Sequence, residues 1–448
     1  MRGVKSLLVL VVVLAGFGAY IYFVESKKPQ STEANLGPKI FSVKTDAIDE
    51  ITVKAAGGDR TTLKKTNGTW QITAPVTAPA DDAEVSGILT NISTIDNVRT
   101  VEENPGDLKQ FGLAEPRVEI HFRTAGSRQT KALLIGDKTA TLGDLYAKLP
   151  NEKKVFLIPG SFDATFNRST FDLRLKTVLA FERDKVDHVT VQSPGTTIDL
   201  ARAGGEWALA RPLQAPADYG TVEGLIGRVQ TAQMKAITAE EATDLKPYGL
   251  DKPEASVTIG LGSSRATLLL GSKTDANTTY AKDTARPMVF TVEPSLLDDL
   301  KKPADQLRRK DVFEFRAFNA TSVQIVRGAE TLTFEKARGQ GKDAAEKWRE
   351  TKPAARDVDS SAFDTFLTKL ANQRAQSFVE TGGKTKTGLE SPAMVVVVRF
   401  DDGKKEEKVT FGRTGADVYA AMAGQPGAAK IDATEFDDAI KALDAISK

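Results

Sequence analysis

Hydrophobic and polar positions alternate in short blocks through most of the chain. Ile51 and Val53, Thr61 and Leu63, and Trp70 and Ile72 each sit two apart among polar neighbours. That period predicts three half-buried strands. Gly57-Gly58 and Asn67-Gly68 lie between them at turn positions, the second being a strong two-residue hairpin signal. The period then changes. Val85, Ile88, Leu89 and Ile92 form an i, i+3, i+4, i+7 stripe, the mark of a helix with one apolar face. Asp81 stands four residues before the stripe, at the N-cap, with Glu84 three residues on as in a capping box. A second strand group follows at Val118–Phe122, Lys131–Ile135, Leu145–Lys148 and Val155–Ile158, then a short helix through Phe162 and Phe166.

The whole pattern recurs. Trp70 opens WQITAPVTAPAD, Trp207 opens WALARPLQAPAD, and Trp348 opens WRETKPAARDVD. FGLAEP at Phe111 returns as YGLDKP at Tyr248 and TGLESP at Thr387. LLIGDKT at Leu133 returns as LLLGSKT at Leu268 and, eroded, as VTFGRTG at Val409. YAKLP at Tyr146 returns as YAKDT at Tyr280 and YAAMA at Tyr419. The helical stripe repeats as Val222, Leu225, Ile226, Val229 and as Phe363, Phe366, Leu367, Leu370, each behind an aspartate, Asp218 and Asp359. A spacing of about 140 residues is domain-sized, so each copy has its own core. The fold class expected is α+β: an N-terminal transmembrane helix followed by three tandem domains of mostly antiparallel sheet plus helix. The expected bounds are 1–28 for a membrane anchor, 29–39 for a tether, and 40–180, 181–315 and 316–448 for the three repeats.

The anchor rests on residues 7–24, LLVLVVVLAGFGAYIYFV, which carry no charge. At ~1.5 Å per residue they reach about 27 Å, close to the hydrocarbon thickness of a bilayer. A secretory signal peptide is the alternative, but its apolar core is shorter and ends at small residues, whereas this run continues through Tyr20, Ile21, Tyr22 and Phe23. Arg2 and Lys5 before the run place the N-terminus inside, which exports the remainder. The formal net charge of +1 removes the electrostatic basis for nucleic-acid binding. Cysteine is absent, which excludes disulfides, thiolate nucleophiles and Cys-based metal sites.

What chemistry the remaining residues could carry is thin. His121 and His188 are the only histidines, and Asp187 precedes the second, but no GxSxG elbow accompanies them. His121 alternates with Ile120 and Phe122 and so faces solvent; His188 falls where the first copy has Ile51. Glu102-Glu103 and Glu240-Glu241 recur, with Glu380 in the third copy, and Asp107 or Asp244 would have to complete a cation site there. Neighbours on a strand point to opposite faces, which favours a solvated strand end and a helix cap. Arg174 and Lys176 match Arg308 and Lys310 in the connections between copies, where an anion site competes with an interdomain salt bridge. Gly339-Gln340-Gly341-Lys342 lacks Walker spacing and reads as a hairpin tip. No catalytic, cofactor-binding or metal-binding residue is assigned.

The apolar anchor ending at FVESKKP, IFSVKTDAIDEITVK, NGTWQITAPVTAPADDAEV, DLKQFGL-x-x-P, LLIGDKT and YAKLP together resemble the domain-of-unknown-function family numbered 4340. The resemblance covers the first two copies well and the third less so. It implies a membrane-anchored bacterial protein, beside a gliding-motility-type ABC transporter, and it brings no catalytic residues. The expected function is thus a non-catalytic extracytoplasmic accessory or scaffold protein held in the inner membrane through residues 7–24, with ABC transporter subunits as partners and no cofactor. A cell-envelope glycan or substrate-binding module is the alternative, and a carboxylate-dependent hydrolase a further one.

Overall fold

The computed structural model describes residues 38–140, 143–338, 346–380 and 385–446. The anchor segment 7–24, most of the tether and the 339–342 motif lie outside them. No helix among the described residues is long and apolar enough to cross a membrane.

Three nine-stranded sheets follow one another, each with the same strand order. The first is built from Ile48–Lys54 (β1), Arg60–Thr66 (β2), Thr69–Ala74 (β3), Ala78–Pro79 (β4), Arg99–Glu102 (β5), Val118–Thr124 (β6), Lys131–Lys138 (β7), Leu145–Lys148 (β8) and Val155–Ile158 (β9). Its order is β4-β3-β2-β1-β6-β7-β8-β9-β5, and every pairing is antiparallel. The meander and the second strand group thus share one sheet, joined where β1 pairs β6. The two-residue β4 and the four-residue β5 close its ends. Asp82–Thr94 (α1) connects β4 to β5, and Phe162–Phe166 (α2) follows β9. The second sheet runs from His188–Ser193 (β10) to Val289–Val292 (β18), with helices Tyr219–Thr231 (α3) and Pro294–Leu300 (α4). The third runs from Ala320–Arg327 (β19) to Ala428–Ile431 (β27), with Ser360–Ala371 (α5) and Ala433–Ile446 (α6).

The alternation of β1 is visible in its burial: Ile48, Ile51 and Val53 are fully enclosed while their neighbours are half-buried. The apolar stripe of α1 (Val85, Ile88, Leu89, Ile92) packs into the same core as Ile72, Ile120 and Phe122. The three tryptophans take equivalent places in the third strand of each sheet and are 6%, 2% and 1% exposed. Asp81, Asp218 and Asp359 cap α1, α3 and α5. Their carboxylates accept from Ala83 N (3.0 Å) and Glu84 N (3.3 Å), from Thr221 N (2.8 Å), and from Ser361 N (2.9 Å) and Ala362 N (3.1 Å). These recurrent aspartates terminate helices, as the spacing predicts.

The contact pattern divides the chain at Lys176/Thr177. The first body holds the first sheet. The second body holds the second and third sheets, which share a continuous joint. Arg309 N donates to Pro216 O, Val312 N to Gln373 O, and Ala375 N to Lys310 O, so residues 307–312 run along the end of one sheet and onto the start of the other.

One register expectation is corrected. His188 does not replace Ile51. Ile51 pairs with Leu63, whereas Val189 pairs with Leu200, and Leu63 and Leu200 are equivalent through their pairing with Ile72 and Leu209. The first hairpin of the second copy is one residue shorter at its turn, so the fixed spacing slips by one. His188 stands where Glu50 does, on the open face, and the buried place belongs to Val189. A single-residue slip moves a side chain to the other face.

Candidate functional site

The charged residues singled out from sequence fall in separate places. On the open face of the first sheet, Glu119 accepts from Lys54 Nζ (2.9 Å), Arg60 Nη2 (3.1 Å) and pairs with His121 Nε2 (3.0 Å). Partial burial pushes the Glu119 carboxyl up, but the hydrogen bonds from His121 and Lys54 outweigh it and hold it below its usual range. On the same face of the second sheet, His188 Nε2 lies 3.2 Å from Thr190 Oγ1 and 3.9 Å from Asp199 Oδ1. Asp199 takes a hydrogen bond from Thr190 (2.8 Å) and an ion pair from Arg211. Asp187 does not face His188; its carboxylate accepts from Gly262 N at 2.9 Å. Lys54–Glu119, Thr190–Asp199 and Asp199–Arg211 are cross-strand polar pairs that stabilise sheet register, and each histidine bonds the side chain two residues away on its own strand.

The paired glutamates do not converge. Glu102 ends β5 and Glu103 is exposed beyond it; Glu240, Glu241 and Glu380 are exposed at the corresponding ends. Asp107 and Asp244 accept from Lys109 N (2.8 Å) and Lys246 N (3.0 Å), starting the short 3-10 turns before Gly112 and Gly249. Among the described residues no group of three or more His, Asp or Glu side chains could hold a metal ion.

The connection residues have structural work. Lys176 Nζ donates to Asp172 O (2.7 Å) and sits 4.0 Å from Asp81 Oδ2. Arg174 is buried within the first body. Arg308 is 2% exposed. Its guanidinium stacks over the Phe378 ring (3.7 Å to the centroid), donates to Pro426 O (3.1 Å), and reaches Asp305 at 3.7 Å. Phe378 and Pro426 belong to the third sheet's body, so Arg308 pins the joint between the second and third copies. A carbonyl and a ring hold it there, not the interdomain carboxylate that an ion pair would need.

Sequence reasoning missed two lysines, Lys148 buried and Lys282 half-buried. Lys148 and Lys282 occupy the YAK motif of the first two copies. Lys148 donates to Leu149 O (2.8 Å) and Pro150 O (3.3 Å), and Lys282 to Arg286 O. Burial pulls both below the ordinary lysine range. The signal was present, since the lysine repeats with the motif and becomes Ala421 in the third copy.

A cleft opens in the second body, beside the joint. Its volume is about 840 Å³, within the range of ligand-sized sites. Its walls include Gln214 and Ala215 from the second copy and Arg309, Glu314, Arg316, Asn319 and Lys405 from the joint and the third. Most of its charges are satisfied locally. Arg309 pairs with Glu314 (2.5 Å), Lys405 with Asp401 (3.3 Å), and Arg316 donates to the carbonyl of Phe315 (3.0 Å). Behind them Glu407 accepts from Glu314 N (2.8 Å) and Phe315 N (3.3 Å); burial pushes its carboxyl above the usual range. Phe318, next to Arg316 and Asn319, is 82% exposed. The cleft thus offers mixed charge and two amides, Gln214 and Asn319, without a strong field of either sign, and Phe318 adjoins Asn319 in the chain.

A family profile described as a domain of unknown function (DUF4340) matches residues 70–208 and 207–392. The chain belongs to this family. Each match begins at a tryptophan in the third strand of a sheet and crosses into the next sheet; the first ends in that sheet's third strand, and the second runs on past the third strand and the capped helix to residue 392. No curated protein matches the chain. Two solved structures share weak likeness. A DNA polymerase sliding clamp from Pseudomonas aeruginosa is 8% identical over 90% of this chain and 95% of that one, with a TM-score of 0.15. A DNA polymerase III subunit beta from the same organism is 9% identical over 90% and 96%, with a TM-score of 0.14. TM-scores this low say nothing of this chain's fold or activity.

Proposed function

We propose that the protein is a non-catalytic extracytoplasmic accessory or scaffold protein, held in the bacterial inner membrane through residues 7–24 and working beside an ABC transporter. One observation carries the reading. The same nine-stranded sheet is built three times, and the recurrent polar residues are spent on that construction, with Asp81, Asp218 and Asp359 as helix caps and Asp107 and Asp244 as turn anchors. Repetition of this kind sets length and shape, the properties a scaffold needs. The 18-residue uncharged run supports the anchor.

Complementation of a strain lacking the protein tests the reading. The quadruple variant Glu102→Gln, Glu103→Gln, Glu240→Gln, Glu241→Gln is expected to complement, and removal of residues 181–315 to abolish complementation at normal membrane level. Loss of complementation in the quadruple variant, with normal folding, favours an enzyme or cation-binding role instead. A second reading, a binding module for an envelope glycan, is favoured by exposed Phe318, which lies in the chain between the cleft residues Arg316 and Asn319. Phe318→Ser with Asn319→Ala should then remove complementation as completely as the deletion does.

A further inference from the structure

We infer that the outer edge of the third sheet, Arg356–Asp359, is a docking strand for an extended basic segment of a partner polypeptide. The first two sheets show how such an edge is used. In the first, Asp81 N donates to Leu173 O (2.9 Å) and Leu175 N to Pro79 O (3.0 Å), with Ala80 bridged to Arg174. In the second, Asp218 N donates to Leu307 O (2.7 Å) and Arg309 N to Pro216 O (3.0 Å), with Ala217 bridged to Arg308. Each edge is thus covered by an extended segment, Leu-Arg-Leu-Lys at 173–176 and Leu-Arg-Arg-Lys at 307–310.

The third edge keeps the frame, and among the described residues no segment is laid along it. Val358 N donates to Trp348 O (3.4 Å), as Ala80 and Ala217 do to Trp70 and Trp207. By that register Asp357 C=O and Asp359 N–H point away from the sheet, and among the described residues no backbone group is hydrogen-bonded to them. Ala80 and Ala217 are buried beneath their segments; Val358 is only half-buried, and the Asp357 side chain is 94% exposed. Free N–H and C=O groups in a row are a template for strand addition.

The sequence of the edge selects the partner's charge. Where the first two edges have proline, Pro79 and Pro216, the third has Asp357, which restores an outward N–H and adds a carboxylate. In the covered edges the cap aspartate feels basic residues: Lys176 lies 4.0 Å from Asp81, and Arg374 and Lys310 lower the Asp218 carboxyl, beyond the hydrogen bonds from Thr221. Asp357 and Asp359 therefore present two carboxylates to an incoming strand, with Arg349 3.8 Å from the first, while the strand's own Arg356 is paired with Glu350 and donates to Ile446 O (2.9 Å). A segment with the Leu-Arg-x-Lys pattern fits this edge in backbone and in charge.

The inference deepens the scaffold reading by naming a docking surface, and its test is separate from complementation. The probe is a fluorescent peptide with the sequence of residues 171–178, titrated against the full chain by anisotropy. Saturable binding is expected. It should weaken by about tenfold or more in Asp357→Lys with Asp359→Asn, which retains the helix cap, and unchanged melting will show that the variant is folded. N-methylation of the peptide at the Leu175 position should abolish binding, because that amide donates to the edge. N-methylation at the Arg174 position should not, because that amide turns back to Phe171 O. Absence of saturable binding, or binding indifferent to both the charge change and the Leu175 methyl group, overturns the proposal. So does concentration-dependent self-association of the chain that the peptide fails to compete, which would assign the edge to a second copy. If the peptide fails while residues 181–315 remain essential for complementation, the docking edge falls and the scaffold reading stands.

Discussion

The second and third sheets have the same strand order, the same capped helix and the same buried tryptophan, yet their outer edges differ. The second ends in Ala215–Pro216, with residues 307–309 laid along it. The third ends in Arg356–Asp357, with Asp357 exposed and, among the described residues, no segment laid along it. In a core, each residue answers to neighbours from its own sheet, so three copies converge on similar solutions. At an edge, the residue answers to whatever lies alongside, and there the copies are free to part. Proline suits an edge position whose outward bond is accepted by its carbonyl; aspartate suits one with a donor to offer and water to face.

The largest expected effect tests the shared core. Trp207 and Trp348 donate Nε1–H to Glu223 Oε1 and Asp364 Oδ1, each at 3.0 Å, on the helix that covers them. Trp207→Ala and Trp348→Ala should each cost ~3–5 kcal/mol, the range for aromatic truncation in a packed core. Urea unfolding of the full chain followed by circular dichroism measures both. A Trp348→Ala cost below about 1 kcal/mol would mean that the two copies do not share a core, and the contrast at their edges would lose its frame.

A smaller effect sharpens the contrast itself. Arg308 holds the covering segment in place through Pro426 O and the Phe378 ring. Arg308→Ala leaves the Pro426 carbonyl without that donor and removes the stacked cation, a loss of roughly 1–3 kcal/mol. Amide hydrogen exchange gives the position-resolved readout. The Asp218 and Arg309 amides, bonded across the edge, should be protected in the parent and lose protection in the variant. The Asp359 amide, at the equivalent place on the open edge, should exchange fast in both. Equal protection of Asp218 and Asp359 in the parent would show that the third edge is covered after all.

How much of this was legible follows the same division. The strands, the capped helix and the repeat were readable because alternation, the i, i+3, i+4 stripe and the aspartate cap are local signals. The Gly-Leu turn was readable too, and the structure gives its reason. Gly249 adopts a left-handed φ of 65°, and a Cβ on Gly271 would strike the Tyr248 carbonyl oxygen, so the turn and the end of the LLLG strand require each other's glycine. That the two strand groups form one sheet was not readable, because it depends on β1 pairing β6 across more than sixty residues. The slip at His188 arose from a one-residue difference in a turn. Helix α6 was overlooked although Phe436, Ala439, Ile440 and Leu443 carry the helical stripe. The cleft and the open edge were illegible for a deeper reason: both are defined by what lies next to a surface, and no local pattern encodes that.

The smallest effect concerns pH, and it separates the covered edge from the region behind the cleft by the sign of its slope. Burial alone would raise the Asp218 carboxyl, but the Thr221 hydroxyl and amide, with Arg374 and Lys310 beyond them, bring it below its ordinary value. Folding therefore favours its charged form. Its contribution is complete above the unfolded value of about 3.9 and disappears as pH falls through the lower folded value. Glu407 runs the other way. Burial, with the Glu314 charge adding to it, raises its carboxyl despite the hydrogen bonds from Glu314 N and Phe315 N and the nearby Arg309. Folding favours its protonated form, so its contribution is complete below about 4.3 and is lost as pH rises through the higher folded value. Asp218→Asn should flatten the acid limb of the stability profile and leave the limb above it unchanged. Glu407→Gln, which can still accept the two amides, should flatten the decline above about pH 4.3 and leave the acid limb unchanged. Urea midpoints measured from pH 3 to pH 8 decide between them. If both substitutions act on the same limb, Glu407 is not desolvated behind the cleft, and the joint there is open to water in the way the third edge is.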